Sequence, residues 1–403
     1  MIDYKLDFPL LARKYQNQNL VYFDNAATTP KPQIVLDSIN NYYHLHNANI
    51  HRGPNFLSEE ATNLYEDSRQ VIADFIKADK EEIIFTSGAT AGINLIARSW
   101  GEKNLRAGDI VALTKAEHHA NIVPWLQLKE KIGIELMYVE LNDDASFNEE
   151  SIENILSQPR LRLLSLTQAS NVLGRYYDLA PLIKQAKLIG VTTIIDAAQS
   201  IAHRSINVKK LGCDFLVFSG HKLFAPSGVG VLYGQKKVLA EMSPFFGGGN
   251  MISDVKLDSF TSAAVPDKFE AGTPNIEGAI AMGEACLYLQ TIGFKEINRR
   301  EDLLITHFLS KLSTANYIKL LGGQEDKIPV FALALSGVHP HDAADLLGEK
   351  GIITRAGHHC AQPLHDYLHI TASLRVSLSF YNTVEEIDIF FDALEEIHSS
   401  FLI

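Results

Sequence analysis

From about residue 20 to residue 235, short apolar runs alternate with amphipathic stretches, and this alternation constrains the fold more than any other feature. Candidate strands are 21–24, 82–86, 109–113, 135–139, 161–167, 192–196, 214–219 and 230–233. Between two of them, Ala61, Leu64, Tyr65, Val71, Ile72, Phe75 and Ile76 recur at helical spacing over 58–77, with Ser58 placed to cap the start. Val/Ile/Leu-rich strands alternating with helices predict an α/β fold, a large domain whose mostly parallel sheet is covered by helices. Ligands in such sheets bind outside the carboxyl ends of the strands, so the polar residues ending these runs are candidates for chemistry.

The pattern changes toward the C-terminus. Runs 329–336 and 351–355 flank a helix over 341–350, and another strand is expected at 374–378. Thr383 and Glu386 form a capping-box pattern before a helix ending near His398. These elements predict a smaller α+β domain. We place the large domain at 21–270 and the smaller one at 1–20 with 271–403. The triple glycine 247–249 and the polar stretch to Lys268 read as a loop or hairpin insertion.

Composition removes several functional classes. A formal net charge of -12 speaks against a nucleic-acid binder. Three cysteines, with no Cys-x-x-Cys pair, support neither a disulfide framework nor a structural zinc site. No run approaches the ~18 apolar residues of a membrane span. The first sixteen residues mix acids with apolar residues, so no signal or transit peptide is expected and a cytoplasmic protein is.

Five strand ends carry the candidate chemistry. Lys222 closes Ser219-Gly220-His221-Lys222 after one apolar run, and Asp196 ends the run before it. A lysine in a turn is ordinarily a surface residue, and an aspartate there is ordinarily a helix cap. Together, however, an amine and an acid at neighbouring strand ends can hold an aldehyde cofactor covalently and keep its pyridine ring protonated. Small residues at Ser87-Gly88-Ala89-Thr90 would expose backbone N–H groups to a phosphate at a helix start, although an ordinary turn reads equally well. His118, in Glu117-His118-His119, could lie over an aromatic ring. In the smaller domain, Arg355, His358 and His359 precede Cys360, and cationic neighbours favour a thiolate nucleophile. The alternatives for Cys360 are a buried structural thiol or a zinc ligand. Cys213 and Cys286 lie in apolar contexts and are assigned to the core.

These segments, with FDNAATTPKP (23–32), HRG (51–53), EHHANIVPW (117–125), SNVLG (170–174), DAAQS (196–200), FSGHKLFAPSGVGVLYG (218–234), GGGNMI (247–252), FEAGTPN (269–275) and RAGHHCAQPL (355–364), resemble the cysteine desulfurases among the fold-type I pyridoxal-phosphate enzymes, or class V aminotransferases. GHHCAQPL resembles the family's second group, which holds the sulfur-mobilisation desulfurase and the cysteine sulfinate desulfinase; MSPFFGGG (242–249) and Gln362 look closer to the latter.

The resemblance implies a seven-stranded type of sheet, pyridoxal 5'-phosphate as cofactor, L-cysteine as substrate and a homodimer. It implies that Lys222 holds the cofactor, Asp196 pairs with its ring nitrogen, Gln199 contacts the ring hydroxyl and His118 stacks on the ring. Ala89, Thr90, Ser219 and His221 would hold the phosphate, joined by Thr273 from the other subunit. Asn171 and Arg375 would bind the substrate carboxylate, Arg355 would line the site, and Cys360 would carry a persulfide for a sulfur-acceptor protein. Selenocysteine lyase and sulfinate activities, and a role in iron–sulfur cluster assembly, also follow from the resemblance. One departure is Ala89, followed by Thr90 and Ala91, where the family usually has two threonines and often a glutamate. Two rivals remain: another transaminase or lyase of this fold, which would not need Cys360, and a non-catalytic binding protein on the same scaffold.

Overall fold

The computed structural model describes residues 2–51 and 53–401; Arg52, in the HRG motif, lies outside the described residues. Seven strands build the principal sheet: β1 (Ile83–Thr86), β2 (Ile110–Thr114), β3 (Glu135–Val139), β4 (Leu161–Thr167), β5 (Thr192–Asp196), β6 (Phe215–Ser219) and β7 (Gly230–Gly234). Their spatial order is β1-β7-β6-β5-β4-β2-β3. Strands β2 to β6 pair in parallel, while β7 runs antiparallel to both β6 and β1. Every residue of β2, β6 and β7 is buried, which is why these strands read as continuous apolar runs rather than alternating ones.

The helix expected at 58–77 runs Phe56–Ile76, but Ser58 is not its cap. The Asn55 side chain accepts from the Ser58 N–H at 3.0 Å, while the Ser58 hydroxyl donates back to the Asn49 carbonyl. Spacing alone does not tell which of two capping-competent residues turns toward the helix.

The smaller sheet is wholly antiparallel, with Ile318–Leu320, Val330–Leu335, Ser373–Ser377 and Arg355–Gly357 in that spatial order. Phe308 stacks on Phe331 at 4.0 Å in its core. Val21–Tyr22, expected among the strands of the large sheet, instead pairs in parallel with Ile352–Ile353, and Val21 and Phe23 are buried in this second core. The expected strand 351–355 splits into Ile352–Ile353 and Arg355–Gly357, which pair with different partners. Thr383 and Glu386 do form a capping box, opening Val384–Ser400. The 247–268 insertion carries a hairpin of Ile252–Val255 and Phe260–Ser262. Among the described residues, no helix is long and apolar enough to cross a membrane.

Candidate active site

Asp196 is the last residue of β5, and Lys222 ends the short turn Gly220–Lys222 that follows β6. Because β5 and β6 are parallel neighbours, both side chains reach one cavity of about 450 Å³. His118, Ala89, Thr90, Ser219, His221, Gln199, Asn171, Arg355, Arg375 and Cys360 line the same cavity. Thr273 does not. It lines a cleft of about 140 Å³ with Asn49, His51 and Gly249.

Burial governs the charges here. It lowers the Lys222 amine below the ordinary lysine range, with Asp196 pulling the other way. It raises Asp196 above the usual carboxylate range, opposed by the Ala198 N–H at 2.9 Å and by Lys222. Burial also lowers His118 to about 3, leaving a neutral imidazole whose Nδ1 accepts from the Ala120 N–H at 3.0 Å. Burial thus favours the neutral form of the Lys222 amine, the form that is a nucleophile and a proton acceptor.

At one end of the cavity the helix Ala89–Leu95 begins from Gly88, whose φ of 151° favours glycine. The Ala89 N–H donates to Ser219 Oγ at 2.8 Å, which brings that hydroxyl to the helix start. A Cβ on Gly230 would fall 2.5 Å from Gly88 Cα, so strand and turn need bare backbone at this crossing. Gln199 Nε2 donates to the Ala26 carbonyl at 2.8 Å. Pyridoxal phosphate suits these donors: an amine for its aldehyde, an acid for its ring nitrogen, and a small-residue helix start with a hydroxyl for its phosphate.

Two arginines, Arg355 and Arg375, also line the cavity, and here the sequence reading is incomplete. Asp24, to which it gives no role, bonds Arg375 Nη2 at 2.9 Å and Arg355 Nη2 at 3.0 Å. Arg375 Nη1 donates to the Asn171 carbonyl at 3.2 Å, and its buried Nε has no partner. Asn171 itself, expected to meet a ligand, donates Nδ2 to the His359 carbonyl at 2.7 Å and ties down the Cys360 loop. His119 adds two more ties, through its N–H to the Cys360 carbonyl at 2.7 Å and its ring to the Gln362 N–H at 2.9 Å.

Cys360 is exposed at the cavity, whereas Cys213 and Cys286 are buried. Burial pushes the Cys213 thiol up to about 12. It also lowers His359 to about 2, so that imidazole adds no positive charge beside Cys360, contrary to expectation. No group of three or more His, Cys, Asp or Glu side chains is placed to hold a metal ion among the described residues.

The family model for class-V aminotransferases matches residues 21–390. The probable cysteine desulfurase 1 of Mycobacterium leprae is 43% identical over 98% of this chain, which spans 64% of that protein's length. The probable cysteine desulfurase of Xylella fastidiosa strain 9a5c is 40% identical, with 98% of this chain and 94% of that one covered. Among solved structures, the apo cysteine desulfurase of Thermococcus onnurineus NA1 is similar with a TM-score of 0.94 and 36% identity, covering 99% of this chain and 98% of that one.

Proposed function

The chain belongs to the class-V aminotransferase family, and from that premise we propose that it is a pyridoxal-phosphate-dependent cysteine desulfurase converting L-cysteine to L-alanine. The observation that carries this reading is that Cys360, the one exposed cysteine, lines the same cavity as Lys222 and Asp196. Transamination has no use for a thiol there; sulfur removal does.

When bound, the cofactor supplies an electron sink that lets the substrate lose its Cα proton and its Cβ–S bond. In this reading Lys222 holds the cofactor and, once released, accepts that proton. Asp196 keeps the ring nitrogen protonated. His118 covers the ring as a neutral face, and Gln199 meets its hydroxyl. Ala89, Thr90, Ser219 and His221 hold the phosphate, and Thr273 reaches it from a second copy, which makes the enzyme a homodimer. Arg375 takes the substrate carboxylate, helped by Asn171, with Arg355 beside it. The Cys360 thiolate attacks the substrate sulfur: an S–S bond forms, the Cβ–S pair returns to carbon, and protonation there yields alanine. The persulfide is then handed to an acceptor protein. A cytoplasmic setting, iron–sulfur cluster assembly as the destination, and side activities on selenocysteine and cysteine sulfinate belong to the same proposal.

Cys360→Ala tests it. The variant should keep the visible absorption of the bound cofactor and lose at least about a hundredfold in alanine formation from cysteine, the usual order for a lost nucleophile. Alanine produced at the parent rate would refute the role of Cys360.

A further inference from the structure

We infer that Glu117 is a positioning residue, whose carboxyl group clasps the turn at residues 118–121 and so sets His118 against the cofactor ring and His119 against the Cys360 loop. The inference rests on the reading of His118 as the cover of that ring. Glu117 is fully buried and stands outside the cavity lining. Its Oε1 accepts from the Thr114 hydroxyl at 2.7 Å and from the Thr167 N–H at 2.8 Å, bridging the last residues of β2 and β4. Its Oε2 accepts from Asn121 Nδ2 at 2.7 Å, at the far end of the turn His119–Asn121.

Both imidazoles stand between those anchors. His118 opens the turn, and the His119 N–H reaches the Cys360 carbonyl. Asn121 has one orientation, because its Oδ1 accepts from the Ser165 hydroxyl and from Trp125 Nε1, which leaves its NH2 facing Glu117. Of the three donors around Glu117, the Asn121 amide and the Thr167 N–H cannot accept, so both carboxyl oxygens must. Burial raises this carboxyl to about 8 against the pull of its donors. A proton on Oε1 can be given to Thr114, the one partner able to accept, and leaves the Asn121 bond in place. Glutamine, of the same size, must aim its carbonyl at Thr167 and set its own NH2 against that of Asn121. That substitution releases the turn with no change of volume.

The test compares the cofactor-loaded parent, Glu117→Gln, and Glu117→Gln combined with Asn121→Asp, which moves the carboxylate across the same bond and restores a donor facing an acceptor. Glu117→Gln should lower kcat for alanine formation about tenfold, the order for one buried donor left unpaired, with KM for cysteine within about twofold. Its visible circular dichroism, which reads the surroundings of the cofactor ring, should weaken. The double variant should recover both to within about threefold of the parent, a rescue that a merely space-filling Glu117 does not give. Parent kcat and dichroism in Glu117→Gln overturn the inference, as does a double variant no better than the single one. If Glu117→Gln does not fold, the double variant decides alone: it must fold and turn over within about threefold of the parent, and failure overturns the inference. If the parent forms no alanine, the desulfurase reading fails while hydrogen exchange of the cofactor-free protein still decides the inference. Amides of residues 119–122 should then exchange about tenfold faster in Glu117→Gln and at the parent rate in the double variant; unchanged exchange in Glu117→Gln overturns it.

Discussion

Asn171→Ala should loosen the loop that presents Cys360. His359 and Cys360 both sit in the left-handed backbone region, with φ of 52° and 57°. For residues bearing a Cβ this costs about 1–2 kcal/mol each. Against it stand three hydrogen bonds: Asn171 Nδ2 to the His359 carbonyl at 2.7 Å, the His119 N–H to the Cys360 carbonyl at 2.7 Å, and the Gln362 N–H to His119 Nε2 at 2.9 Å. At about 1 kcal/mol each they roughly offset the backbone strain, so the loop is held near balance. Removing the Asn171 amide deletes one bond and leaves a carbonyl without its donor, a change of about 1–2 kcal/mol or roughly tenfold in the open population. Hydrogen exchange followed by mass spectrometry reads this without turnover. Peptides carrying Ala361 and Gln362 should exchange about tenfold faster, and peptides from β5 and β6 at the parent rate. Exchange of the loop within twofold of the parent would show that Asn171 does not hold it.

Two other perturbations test the frame around the site. Gly230→Ala forces a Cβ to 2.5 Å from Gly88 Cα and 2.7 Å from the Phe218 carbonyl, so the helix start at Ala89 must move off β7. A shift of this kind costs about 1–3 kcal/mol; a lower melting midpoint and about tenfold weaker retention of pyridoxal phosphate, read from visible absorption, are expected. Lys327 donates to the Leu173 and Gly323 carbonyls, and burial lowers it from the ordinary 10.5 to about 7. Between those values the unfolded chain binds more protons than the folded one, so this group's contribution to stability rises with pH across the window. The urea midpoint of the parent should therefore gain on that of Lys327→Met between pH 7 and about 9; a constant difference would contradict the assignment.

Much of the site is legible without coordinates because it is assembled from strand ends. In a mostly parallel sheet these ends open on one side, so Asp196 and Lys222 need only end neighbouring strands to meet. Phosphate candidates are legible for a related reason, since Gly88 and Ala89 follow β1 directly and open a helix. Other features leave no local trace. Asp24 lies in a recognisable motif, yet its role depends on arginines 331 and 351 positions away. Asn171 reads as a ligand-binding polar residue, and its tie to His359, 188 positions along, leaves no mark in the local sequence.

The amino-acid sequence by itself determined the fold class, the strands and helices, the capping box at Thr383 and the residue types that converge at the sheet's carboxyl edge. Periodicity, capping and turn chemistry act over a few residues and are written in order along the chain. Only the tertiary structure decided that Val21–Tyr22 pairs with Ile352–Ile353 in the second core, that Asn55 rather than Ser58 caps its helix, and that Asp24 claims both arginines. Those outcomes depend on which distant surfaces bury one another and which buried charges find a partner, and that is a property of the packed chain as a whole.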